Sequence, residues 1–170
     1  MVRTWFTADT HFGHENIIKY CNRPFKDLKH MENVLVRNWN ERVKPEDTII
    51  ILGDFCFTNT SGGKEGEGTT KKSQYYLDKL NGNKVFIGGN HDKNNSVKSH
   101  ITGLEIFLGG QHFWCVHNPE DCNMGYDINL CGHVHEAWKE KEKYGTVLIN
   151  VGVDVWNFRP VKIEEIFSLF

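Results

Sequence analysis

A chain of 170 residues fits one domain, here taken as 1–170, and is long enough to bury a core. Charge is nearly balanced, 20 Lys+Arg against 22 Asp+Glu for a net −2, which removes the electrostatic basis for sequence-independent binding to nucleic acid or a membrane surface. No stretch nears the roughly 18 apolar residues of a membrane span. The first residues form no apolar leader, and the five cysteines are scattered without a Cys-x-x-Cys pair, so a reduced, cytoplasmic setting is expected.

Arg3 to Ala8 reads as a first strand with Asp9-Thr10-His11 at its carboxyl end. Phe12-Gly13-His14 leads into a short helical stretch, Glu15 to Cys21, which Pro24 stops because proline disfavours helical geometry in the residue before it. From Leu28 the apolar residues Met31, Leu35, Trp39 and Val43 recur at three- and four-residue steps, an amphipathic helix with Asp27 as its N-cap and Lys44-Pro45 as its stop. Thr48 to Leu52 is a continuous apolar run, hence a strand covered on both faces, and Gly53-Asp54 follows it. Thr58 to Thr70, rich in Gly, Ser, Lys and Glu, cannot offset its ordering entropy by burial and is expected to be a mobile surface insertion or a lid.

A second helix is expected over Lys71 to Leu80, closed by Asn81-Gly82. Val85-Phe86-Ile87 then reads as a buried strand running into Gly88-Gly89-Asn90-His91-Asp92. Glu105 to Leu108 and Gln111 to Val116 pair across Gly109-Gly110, with His117 closing the second. Ile128 to Cys131 is a strand before Gly132-His133-Val134-His135, Val147 to Val151 is another, and Pro160 to Phe170 ends the chain as strand or helix.

The chemistry lies in five turns: Asp9-x-His11, Gly53-Asp54, Gly89-Asn90-His91-Asp92, His117 and Gly132-His133-x-His135. Each follows an apolar run, and ligands of open α/β sheets collect outside the carboxyl ends of strands. Imidazole, carboxylate and amide donors together suit borderline-hard divalent ions, and a set without cysteine argues against a thiolate-bound structural zinc. Two metals about 3.5–4 Å apart are a known device for phosphoester hydrolysis.

This order of motifs resembles the calcineurin-like metallophosphoesterase superfamily, from residue 9 to residue 135. The opening Thr7-Ala8-Asp9-Thr10-His11-Phe12-Gly13-His14-Glu15-Asn16 and the closing Asn150-Val151-Gly152-Val153-Asp154 resemble its small bacterial and phage members. The resemblance implies an α/β fold, a four-layer α/β/β/α sandwich with two mixed sheets flanked by helices. It also implies two divalent ions, Mn²⁺ foremost, with Fe, Zn, Ni or Co as alternatives. Asp9, His11 and His135 would hold the first; Asn90, His117 and His133 the second; Asp54 would bridge them. A bridging hydroxide would attack phosphorus, while His91 assists the leaving oxygen and Asp92 orients its ring.

Asn90, His14 and Arg23 are further candidates for substrate contact. His14 and Asn16 could equally cap or support the site, and a surface position is the ordinary expectation for Arg23. Trp138, Tyr126 and Trp156 could stack on a base but fit core packing better. His30, His100 and His112 stand outside any motif. The expected activity is hydrolysis of a small, nucleotide-type phosphodiester. A phosphomonoesterase, a nuclease on long nucleic acid, and a non-catalytic interaction scaffold are the alternatives. The absent basic stripe counts against the nuclease, and His91 beside intact ligands counts against the scaffold.

Overall fold

The computed structural model describes residues 2–58, 65–66, 71–92 and 97–170. Strands β1 (Thr4–Thr7), β2 (Thr48–Leu52) and β3 (Asn83–Ile87) run parallel, and β9 (Val161–Lys162) joins antiparallel to β1, in the order β3-β2-β1-β9. A second sheet has the order β4-β5-β6-β8-β7, built from β4 (Gly103–Leu108), β5 (Gln111–Val116), β6 (Ile128–Cys131), β7 (Glu140–Lys143) and β8 (Thr146–Asn150). Within it β5, β6 and β8 are parallel neighbours, and β4 and β7 close the edges antiparallel.

Side-chain alternation along the strands builds the layers. Trp5, Ile49 and Ile51 face outward from the first sheet onto Met31, Leu35 and Trp39 of α2 (Leu28–Arg42) and Tyr76 of α3 (Ser73–Leu77). Their neighbours Phe6, Ile50 and Leu52 face inward and meet Phe113, Cys115, Leu130 and Ile149 between the sheets. Ile163 and Ile166 of α4 (Ile163–Phe167) join this inner core. The outer face of the second sheet carries a smaller cluster, Val116, Cys131 and Leu148 under Trp114, Cys122 and Trp138, beside a 3₁₀ turn at Pro119–Asp121. The fold is therefore α/β with two mixed sheets packed face to face and helical cover that is heaviest on the first. Among the described residues, no helix is long and apolar enough to cross a membrane.

Most expected elements form within a residue or two of their expected bounds, and Asp27 caps α2 by accepting from the His30 N–H at 2.7 Å. Three differences have physical reasons. The stretch expected helical over Glu15–Cys21 contracts to α1 (Ile17–Tyr20), and that over Lys71–Leu80 to α3, since neither is long enough to be stable beyond what packing holds. The unexpected β7 reads Glu-Lys-Glu-Lys; its charges suit an edge strand and hide it from any search for apolar runs. The ambiguous carboxyl end is both strand and helix, β9 running directly into α4. The mobile or lid-like character expected of Thr58–Thr70 falls largely on 59–64 and 67–70, outside the described residues.

Candidate metal centre

Asp9 and His11 follow β1, Asp54 follows β2, Asn90 and His91 follow β3, His117 follows β5, and His133 and His135 follow β6. All therefore sit at carboxyl ends of strands, on one shared rim. The two sheets are joined there: Ala8 bridges to Gly152, the His133 N–H donates to Asp9 Oδ2 at 2.8 Å, and His117 Nδ1 lies 2.7 Å from the Leu52 carbonyl. Asp9, His11, Asp54, His133 and His135 have φ between 48° and 71°, a region that non-glycine residues seldom hold without support. Five of the nine such residues among those described are candidate ligands, so the strain is concentrated at this rim.

The donor atoms form two groups. In one, Asp9, His11 and His135 each offer a ligand atom within 4.8 Å of the others; in the other, Asp54, His117 and His133 do. Asn90 Oδ1 completes the second group, 2.9 Å from His117 Nε2 and 3.1 Å from His133 Nδ1. Asp54 Oδ2 lies between the groups, 3.6 Å from His11 Nε2 and 3.4 Å from His117 Nε2.

The residues fit divalent ions on several counts. Asp9 Oδ1 and both ring nitrogens of His11 are buried without a hydrogen-bond partner, a costly arrangement unless something else satisfies them. The Leu52 carbonyl fixes the Nδ1–H tautomer of His117 and leaves Nε2 aimed at Asn90 and Asp54. Asp154 Oδ2, 3.2 Å from Nδ1, does the same for His135.

Two tight approaches explain the glycines before the ligands. A Cβ on Gly89 would come within 2.2 Å of Asp54 Oδ1, and one on Gly53 (φ 85°) within 2.4 Å of His117 Nδ1.

Without metal, His117 and His135 hold on to a second ring proton. Burial opposes charge on His117, but hydrogen bonding to Asp54 and the nearby Asp9 charge push it up to about 9. His135 likewise rises against burial to about 10 through its bond to Asp154. Burial raises Asp9 to about 6, while burial and neighbouring cations hold His11 well below its usual value. Folded pKa values above the ordinary histidine value mean that the stability from His117 and His135 is complete below about 6.5 and is lost as pH rises towards 9–10. Chelator-stripped protein is therefore expected to show a falling Tm between pH 7 and 10, measured by thermal unfolding, with added divalent metal restoring it.

The structure changes three expectations. Arg23 is neither a surface residue nor available to substrate: it is 4% exposed, and its five N–H groups are directed at Asp154, Asp9, Thr10 and Met31. Asp92 does not orient His91. Its carboxylate accepts the N–H groups of Gly89 at 2.8 Å, Asp54 at 2.9 Å and Phe55 at 3.4 Å, because three backbone donors converge on it and tie two ligand turns together. Asn16 bonds the backbone of Glu65 and Gly66 rather than facing the site.

His91 follows β3, with its N–H on Asp54 Oδ1 at 2.9 Å and its ring edge-on to His11. His14 is buried beside it, stacked on Phe57 with ring centroids 5.1 Å apart. Trp156 is tied to the Asn150 carbonyl, and Trp138 packs on the outer cluster. Asp154 and Asn150 acquire roles that the sequence reading did not assign, though both lie in the quoted Asn150–Asp154 motif; Asn150 Nδ2 donates to the carbonyls of His135 and Trp138.

The chain has relatives in sequence and, separately, in fold. Uncharacterized protein MJ1445 of Methanocaldococcus jannaschii is 36% identical over 99% of this chain and 92% of its own length. Gene 66 protein of Mycobacterium phage L5 is 33% identical over 99% and 94%. Among solved structures, the protein of unknown function AQ665 from Aquifex aeolicus superposes with a TM-score of 0.74 at 26% identity, covering 100% of both chains. Yfce, a phosphoesterase from E. coli, shares the fold at a TM-score of 0.50 and 14% identity, over 88% of this chain and 78% of that one. The model of the calcineurin-like phosphoesterase family matches residues 2–157, and with the shared rim of donors it places this chain in that family.

Proposed function

We propose that the protein is a dinuclear metal-dependent phosphoesterase that hydrolyses a small phosphodiester, with a nucleotide-type ester as the substrate class and the cytoplasm as its setting. The observation that carries the reading is Asp54 Oδ2 standing between His11 Nε2 and His117 Nε2, one from each donor group. Asp9, His11 and His135 would hold one ion, Asn90, His117 and His133 the other, with Asp54 shared. Such ions, Mn²⁺ first among the candidates, lower the pKa of water and offset charge on the phosphoryl oxygens.

The chain's own groups then have distinct tasks. Asp9 spends Oδ2 on the His133 N–H and keeps Oδ1 for ligation. Asp92 locks the Gly53-Asp54 and Gly89-Asn90 turns against each other. His91, beside both Asp54 and His11, would donate a proton to the leaving oxygen.

The choice of diester rests on charge. A monoester is mostly a dianion near neutral pH and a diester a monoanion, because the second phosphate pKa is near 6. Of the cations close in sequence to the ligand turns, Arg23 has committed its donors and Lys139 lies 3.6 Å over the Trp156 ring. Arg3 stands at the opposite, amino end of β1, and Lys93 lies outside the described residues. With so few clamps for a terminal phosphate, bis-(p-nitrophenyl) phosphate is expected to exceed p-nitrophenyl phosphate in kcat/KM, assayed at one pH with Mn²⁺. A clear monoester preference would replace the diester reading with a phosphomonoesterase on the same centre.

A further inference from the structure

Arg23 is fully engaged, and the direction of its bonds is selective. Nη2 donates to the Asp9 carbonyl at 2.7 Å, and Nη1 to the Thr10 carbonyl at 3.2 Å. Nε and Nη2 meet the two oxygens of Asp154 at 2.8 and 2.9 Å, the planar fork that only arginine offers a carboxylate. Asp154 Oδ2 in turn holds His135 Nδ1. One side chain thus grips the backbone of Asp9, the peptide leading into His11, and the carboxylate that orients His135. These are the carriers of all three donors of the first group. Among the described residues, no hydrogen bond of Arg23 reaches Asp54, Asn90, His117 or His133.

We infer that the Arg23–Asp154 pair is a positioning latch for the Asp9–His11–His135 site and not for its neighbour; this rests on the two-ion reading above. The geometry supplies two reasons. Asp9 and His11 hold φ of 57° and 50°, and the carbonyls of Asp9 and Thr10 that Arg23 grips fix the peptides on either side of Thr10. Asp154 also offsets part of the charge that a guanidinium places behind a cation site, a charge that His11 still feels. Lysine at 23 keeps the charge but cannot fork. Asparagine at 154 keeps the volume but leaves the guanidinium charge uncompensated and His135 less firmly held.

The test is a Co²⁺ titration of the full, chelator-stripped chain, followed by visible absorption and chelator competition. Wild type takes up two ions. Arg23→Lys and Asp154→Asn weaken one equivalent by about 10–100-fold, the usual cost of losing a ligand's supporting contact, and leave the other unchanged. Asp47→Asn is the structural control. That carboxylate is buried at the other end of β1, where it accepts the N–H groups of Arg3, Lys44 and Trp5 Nε1. Its loss lowers Tm and leaves both affinities alone. Asp154→Asn, near-isosteric, carries the test if Arg23→Lys yields too little folded protein. Two ions in wild type with both equivalents weakened together, or neither weakened, overturns the latch and leaves the two-ion reading standing. Fewer than two ions in wild type overturns that reading, and the latch with it.

Discussion

Asp54→Asn is expected to lower hydrolysis by more than the roughly 10–100-fold that loss of a ligand's outer contact costs, and excess Mn²⁺ is not expected to recover it. One carboxylate oxygen accepts the His91 N–H, and the other faces imidazole nitrogens from both donor groups. An amide can keep the first contact, but its NH₂ then points at nitrogens that need an acceptor or a shared cation. Burial opposes ionisation of Asp54, yet the hydrogen bond and charge of His117 and the His91 N–H hold it below the ordinary carboxylate range. The charge that Asn removes is therefore one the fold is built to keep. The variant should also gain less thermal stability from added Mn²⁺ than wild type, since ions stabilise only the state that binds them. Metal-dependence curves of kcat and Tm for the two proteins check this. Wild-type turnover that survives exhaustive chelation would contradict the metal-dependent mechanism itself.

His91→Gln separates ion binding from proton transfer. Its ring is edge-on to His11 at 5.4 Å between centroids, while its backbone N–H, which the substitution keeps, supports Asp54. Both ions should remain bound, and turnover should fall by roughly 10²–10⁴-fold if proton donation to the leaving oxygen is its main task. The deficit should shrink with p-nitrophenolate, a leaving group that needs little protonation, and grow with an alkoxide. Equal losses across leaving groups, or loss of an ion, would make His91 a positioning residue or a ligand instead.

The sequence exposes the parts of this protein in which local pattern and tertiary role coincide. Ile49, Ile50 and Ile51 read as a doubly covered strand because both faces of β2 are covered. The five ligand turns read clearly because each interrupts an apolar run with residues that a core rejects unless they are satisfied. What stayed hidden depends on contacts distant in sequence. Arg23 and Asp154 are 131 residues apart, so a buried ion pair looked like an ordinary arginine beside a proline. Asp92 follows His91 directly, and adjacency suggested a partnership; the backbone instead turns the carboxylate towards N–H groups 37 and 38 residues away. Strand β7 has no apolar residue at all and is recognisable only from its pairing with β8.

Every role proposed above depends on two ions held on this rim with Asp54 between them. Crystals grown with Mn²⁺ and measured for anomalous scattering decide whether that arrangement exists. Two peaks are expected, one against Asp9, His11 and His135, the other against Asn90, His117 and His133, with the Asp54 carboxylate touching both. A single peak, or two peaks of which one lies away from Asp54, would contradict it.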